Sequence, residues 1–134
     1  MARRMGKKRR LAGAAVEMAV VTPLLLTMLF GIIEYGWAFS VKQSLVTAAR
    51  EGARIAALPG SSDQDIRDRV QEYLDPLGLT AHEVEVTRAD PPDNPTEKVT
   101  VRMAYEDVSL LGGYFGSTSY NLESTCSMRK EGVD

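Results

Sequence analysis

Few residues in this chain are of a type and spacing that could do chemistry. It holds one cysteine, Cys126, and one histidine, His82. A metal site built on His/Cys clusters, a Cys–His nucleophile pair and an internal disulfide therefore lack their components. No glycine-rich phosphate loop and no Ser-His-Asp order is legible. Asp63, Asp65, Asp68 and Glu72 follow one another closely, and carboxylate pairs can act as acid and base. Arg67 and Arg69 share their stretch, however, and a charged helix face is ordinarily a solvated one. The sequence thus predicts no catalytic residue, no metal ligand set and no cofactor. One acid stands out by its surroundings. Glu17 lies within Leu11–Val41, 31 positions that carry only two charges, Glu17 and Glu34. Inside hydrocarbon a carboxylate costs about 2.5–3.5 kcal/mol on insertion scales and marks a functional position. At the headgroup boundary it costs little, and position alone allows both.

The stretch that holds Glu17 is long enough to cross a bilayer, whose core of about 30 Å needs about 20 apolar residues. Six cations precede it (Arg3, Arg4, Lys7, Lys8, Arg9 and Arg10), leaving 10 cations against 18 acids for the rest of the chain. A basic block beside an apolar span is the positive-inside signal. It predicts a single pass through a membrane, with the N-terminus cytoplasmic and the C-terminal part exported. The acidic remainder argues against reading the block as a nucleic-acid arm, and no nucleic-acid partner is expected. A secretory leader would have a shorter core with small residues after it; here Ala12, Gly13, Ala14 and Ala15 come before the apolar run.

Helical spacing continues past the span. Trp37, Val41, Leu45, Ala48, Gly52 and Ile55 recur at intervals of 4, 4, 3, 4 and 3, which is one face of a helix. A helix from Ala14 to Ala57 has 44 residues and a length of about 66 Å. Pro23 removes one backbone hydrogen bond within it and predicts a helix kink. Tyr35, Trp37 and Phe39 suit a membrane–water interface, with Glu34 read as interfacial or as a subunit contact. The predicted organisation is a cationic leader over 1–13, a long helix over 14–58 (transmembrane to about residue 39, then a stalk), and a small exported domain over 59–134.

In that domain Ser61-Ser62-Asp63-Gln64 has capping-box spacing, and Ile66, Val70, Tyr73, Leu74 and Leu77 form a helical stripe ended by Pro76 and Gly78. Three alternating stretches follow. Val84 and Val86 lead the first; Val99, Val101, Met103 and Tyr105 the second; Tyr120, Leu122, Cys126 and Met128 the third. Such alternation predicts an antiparallel sheet with one face on a helix and the other in water. The fold class is α+β: a long N-terminal transmembrane and stalk helix, with a second helix packed on a three-stranded sheet. Cys126 then faces inward and His82 lies at the surface. Between the last two strands, Leu110, Leu111, Tyr114 and Phe115 are too apolar for an idle loop; they either tuck against the core or form a partner patch.

Three pieces taken together resemble the TadE-like minor pilins (pseudopilins) of the tight-adherence, or Flp, pilus, a branch of the type IV pilin family. They are Ala14–Leu26 (AAVEMAVVTPLLL), Gly31–Gly36 (GIIEYG) and Ala48–Arg54 (AAREGAR). The resemblance covers about residues 9–57. It implies a non-enzymatic subunit that primes, caps or joins an adhesive Tad pilus, with a type IV pilin-like fold. It also implies a prepilin peptidase that cuts before the apolar core, at Ala12, Gly13 and Ala14, with the core retained. The implied partners are other pilin and minor pilin subunits and the Tad-type assembly machinery. The family signal is a glycine followed by a glutamate five positions later, whereas Glu17 is four after Gly13. Cleavage after Gly13, cleavage after Ala12 and no cleavage all stay open. The carboxylate would pair with the freed N-terminal amine of a neighbouring subunit, since both charges would otherwise lie unpaired among apolar side chains. The alternative is a single-pass anchor carrying a small periplasmic ligand- or partner-binding domain.

Overall fold

The computed structural model describes residues 2–90, 95–112 and 120–132, with side chains from residue 12 onward. Its contacts divide it into two units, Met1–Tyr35 and Gly36–Asp134. The first helix, α1, spans Ala2–Ala56. A second, α2, spans Asp63–Leu74 and passes into a 3-10 turn at Asp75–Leu77. Three strands follow: β1 (His82–Thr87), β2 (Thr96–Ala104) and β3 (Asn121–Arg129). They form an antiparallel sheet in the order β1-β2-β3, with Val84 opposite Val101, and Val99 opposite both Val86 and Cys126. This is the expected α+β arrangement.

In the first unit the helix is described by itself. From Val16 to Ile33 its large apolar side chains are uncovered, as suits a helix whose solvent is lipid. Glu34, at the end of this unit, is by contrast buried, at 6 % exposure.

The second unit owes its core to the stripe read from the sequence. Val41, Leu45, Ala48, Ala49, Ala53 and Ala56 of α1 are buried with Ile66, Val70 and Leu74 of α2 and Val99, Val101 and Met103 of β2. Small residues let α1 approach closely. A Cβ built on Gly52 would stand 2.9 Å from Val70 Cγ2 and 3.1 Å from Val99 Cγ1, so the glycine marks the point where two helices and the central strand meet. Leu77 is exposed, because the 3-10 turn carries it off the α2 stripe, and Leu79 takes the buried position instead.

Helix α2 begins one residue later than the sequence spacing indicates. Its N-cap is Ser62, whose hydroxyl accepts from Asp65 N, while the Asp65 carboxylate accepts from Ser62 N at 2.8 Å. Asp65, rather than Gln64, closes the capping box, a device worth about 1 kcal/mol.

Both sheet edges are covered by a cation from a helix. Arg67 of α2 donates to the Val84 carbonyl on β1 at 2.8 Å. Lys42 of α1 donates to the Glu123 carbonyl on β3.

Gly52→Ala weighs two opposed terms. Removing a mid-helix glycine gains up to about 1 kcal/mol, while forcing a methyl between two stiff valines costs about 1–3 kcal/mol. We expect net destabilisation, read as a lower unfolding midpoint in detergent; a midpoint at or above that of the parent would show that the seam is not tight.

Candidate functional site

The residues singled out for processing and assembly lie together at the head of α1. Ala12, Gly13, Ala14 and Glu17 are all helical and exposed. Ala12–Ala56 is, by length and composition, a helix that could cross a membrane, which fits a single-pass anchor. A helix places residues three and four apart on one face. A chain beginning at Gly13 or at Ala14 would therefore have its amine within one turn of Glu17. Either cut leaves a cation and a carboxylate side by side on an uncovered apolar rod. Helix α1 runs through Pro23. The Thr27 hydroxyl donates to the Pro23 carbonyl at 2.8 Å, a back-bond of the kind that accompanies bends in helices.

The acids of α2, which had invited an acid–base reading, are each engaged by a neighbour. Asp63 pairs with Arg88 at 2.6 Å, and Glu72 with Arg69 at 2.9 Å. Asp68 accepts from Gln64 at 2.6 Å, and Asp65 closes the cap. A hollow of about 590 Å³ has Arg67, Gln71, His82, Glu85 and Arg102 in its lining. Its cations already hold protein oxygens. Arg67 holds the Val84 carbonyl, and Arg102 bridges Glu85 and Glu123, each at 2.8 Å. His82, half-buried, turns Nδ1 to the Leu79 carbonyl at 2.8 Å. Cys126 is half-buried on the core side of β3.

One acid escaped the sequence reading. Glu97 has 0 % of its surface exposed and faces Lys130 Nζ at 3.2 Å and Arg88 Nη1 at 3.8 Å. Among the described residues neither of its oxygens receives a well-directed hydrogen bond. Strand parity could have found it, since Glu97 lies two before Val99 and so shares the inward face. The same Arg88 reaches Asp63 and the Ser61 carbonyl, and Glu131 N donates to the Ala57 carbonyl at 2.9 Å. The end of α1, the start of α2 and the last strand are thus tied at one place.

A second cluster lies where the second unit begins. The Trp37 indole N–H donates to the Val108 carbonyl at 2.7 Å. Val108 follows a 3-10 turn at Tyr105–Asp107, so Tyr105 leaves the strand in which the alternation had placed it. The Tyr105 ring stacks on Tyr120 with centroids 4.8 Å apart, and Tyr105 N donates to the Tyr120 carbonyl. Leu110 is exposed and Leu111 half-buried. Tyr114 and Phe115, the other members of the expected patch, lie outside the described residues.

Comparison with known proteins gives one finding that bears on the head. The model of a family described as TadE-like protein matches residues 13–54. That range takes in the candidate cleavage bond after Gly13, Glu17, the apolar run and most of the buried stripe. No curated protein and no solved structure matches the chain.

Two carboxylates link stability to pH. Arg69, then Arg54, hold the Glu51 carboxyl below its ordinary 4.5, and the Ser62 backbone N–H, then its hydroxyl, hold Asp65 below 3.8. Groups whose folded pKa is depressed stabilise the fold above the unfolded pKa and lose that contribution as pH falls through the folded one. The unfolding midpoint should therefore drop as the pH falls below these ordinary values, and the E51Q/D65N double variant should show a shallower fall. Equal slopes for parent and double variant would refute the link.

Proposed function

We propose that this chain, TadE-like over residues 13–54, is a non-enzymatic minor pilin or pseudopilin of a Tad-type adhesive pilus. It is held in the inner membrane by α1 and takes part in assembly by priming, capping or incorporation. The observation that carries the reading is the coincidence of the family match with an apolar helix left uncovered around a single carboxylate. In this reading a prepilin peptidase removes the cationic leader after Ala12 or Gly13, the N-terminus having faced the cytoplasm, and the domain beyond the span is exported.

The chemistry of the head follows from its charges. In lipid, helix association rests on close packing and polar contacts rather than on the hydrophobic effect. A freed amine and Glu17 on adjacent subunits would neutralise each other there. Removing one member of such a buried pair costs about 3–5 kcal/mol, enough to set the axial register between neighbouring helices. Pro23, with its neighbour Thr27, serves as a bending point between the membrane and assembled states.

Sequencing the N-terminus of the protein recovered from membranes tests the processing step. A start at Gly13 or Ala14 is expected when the peptidase is present, and the full leader when it is absent. A leader retained in both would favour the single-pass anchor with a small binding domain. In the host, Glu17→Ala should cut pilus assembly at least tenfold, the factor that about 1.4 kcal/mol supplies; normal piliation would refute the pairing.

A further inference from the structure

We infer that the turn after β2 forms a foot, made by Trp37, Leu110 and Tyr120, that rests in the interfacial layer of the same bilayer that α1 enters. The inference depends on the membrane placement of α1 and not on any role in a pilus. It takes lipid as the occupant of the surface formed by these three residues.

Height comes first. The uncharged stretch that follows Glu17 ends at Ile33, before Glu34, and the next cation is Lys42. At about 1.5 Å of rise per residue, Trp37 stands about 6 Å beyond Ile33. The interfacial layer on each side of the hydrocarbon is about 5–7 Å thick, so Trp37 falls within it. This is where amphipathic rings are favoured, with the ring in the apolar zone and the polar tip wet or bonded.

Connection comes second. Trp37 bonds the Val108 carbonyl at 2.7 Å. Val108 N and Ser109 N both donate to the Tyr105 carbonyl, and Tyr105 N donates to the Tyr120 carbonyl. The Tyr105 and Tyr120 rings are stacked. The turn is thus tied, bond by bond, to Trp37.

Surface chemistry comes third. Leu110 is 55 % exposed and Tyr120 47 %, while Trp37 keeps 37 % of its surface open. Phe39, two residues further on and 56 % exposed, lies on another side of the helix at nearly the same height. Aromatic and aliphatic groups are therefore uncovered at Trp37, Phe39, Leu110 and Tyr120. The nearby charges do not make an anion-binding patch. Lys42 is engaged by the Glu123 carbonyl; Glu106 and Asp107 are exposed; and Asp107 lines a hollow of about 120 Å³ with Arg102 and Asn121. The contact is apolar, and it should not depend on anionic lipid.

The test uses the full chain reconstituted in vesicles of phosphatidylethanolamine and phosphatidylglycerol. A nitroxide is attached at L110C in a C126S background, with L25C and Q64C as membrane and aqueous comparators. Accessibility to oxygen and to a water-soluble nickel chelate is then read by electron paramagnetic resonance. The Leu110 label should be several-fold less accessible to nickel than the Gln64 label, remain accessible to oxygen, and not change when phosphatidylcholine replaces phosphatidylglycerol. Nickel accessibility equal to that at Gln64, with the Leu25 label still in lipid, overturns the foot and leaves the membrane placement standing. Shielding from both reagents overturns it in favour of a protein partner. A nickel-accessible Leu25 label removes the placement itself, and the foot with it. In the unmodified chain Trp37 is the sole tryptophan. Its fluorescence should be quenched more by lipids brominated near the headgroup than by lipids brominated near the chain end; the reverse order, or no quenching, counts against the foot.

Discussion

The seam at Ala48, Ala49, Gly52, Ala53 and Ala56 is the contact on which the second unit depends. A three-stranded sheet and a 12-residue helix cannot bury enough apolar surface alone to offset the entropy of ordering them. They need a third element, and α1 supplies it by presenting almost no side chain at its closest point. That closeness lets Ile66, Val70, Val99 and Val101 reach full burial. At the seam the side chains that fill the core come from α2 and β2 and the helix contributes its smallness, while nearer its membrane end α1 adds Val41 and Leu45.

One helix thus answers to two sets of rules. From Val16 to Ile33 it is, apart from Glu17, apolar on every side, as fits a helix that crosses a membrane, where no face needs to differ from another. From Val41 it is apolar along one stripe, with Gln43, Arg50 and Arg54 exposed, because water lies on the other side. The change occurs over Glu34–Lys42, the stretch that holds the three aromatics. The match to a TadE-like family at residues 13–54 runs across this boundary, and so covers the lipid-suited segment and the seam together.

What was legible in the sequence was what local periodicity encodes. The α1 stripe, the three strands and the burial of Ile66, Val70 and Leu74 follow from spacings of 3.6 and 2. The start of α2 was ambiguous because Ser61 and Ser62 can both cap; the choice falls to Ser62 because Asp65, three residues on, can return the bond, whereas Gln64 instead bonds Asp68. Tyr105 broke the alternation because the chain turns there to bring Val108 to Trp37, a hydrogen bond between residues 71 apart that no window could register. Glu97 was readable by parity, yet its counter-charges were not. Arg88 and Lys130 come from either side of it in the sequence and converge only when β2 is flanked by its neighbours. At the head of α1 the proposed partner is another molecule or an enzyme. There the sequence offers residue types and spacing, and the fold of a single chain adds little beyond helicity.

The polar contacts of the second unit bear on how such a chain avoids associating in the wrong way. A small sheet with two open edges is a template for edge-to-edge pairing. Here the Val84 carbonyl on one edge and the Glu123 carbonyl on the other each accept from a long cationic side chain, Arg67 and Lys42. A further strand would have to displace a charged donor at either edge, a loss of a bond stronger than the neutral one replacing it. The outer face carries Glu85, Arg102 and Glu123 as a bridged trio, which binds water better than another sheet. With edges and face made unattractive, the long uncovered apolar surface among the described residues is α1 before Glu34. Under the proposed function, association then falls to a helix in lipid, where one acid and a row of small residues can specify register, and not to strands, where pairing has little specificity and is hard to reverse.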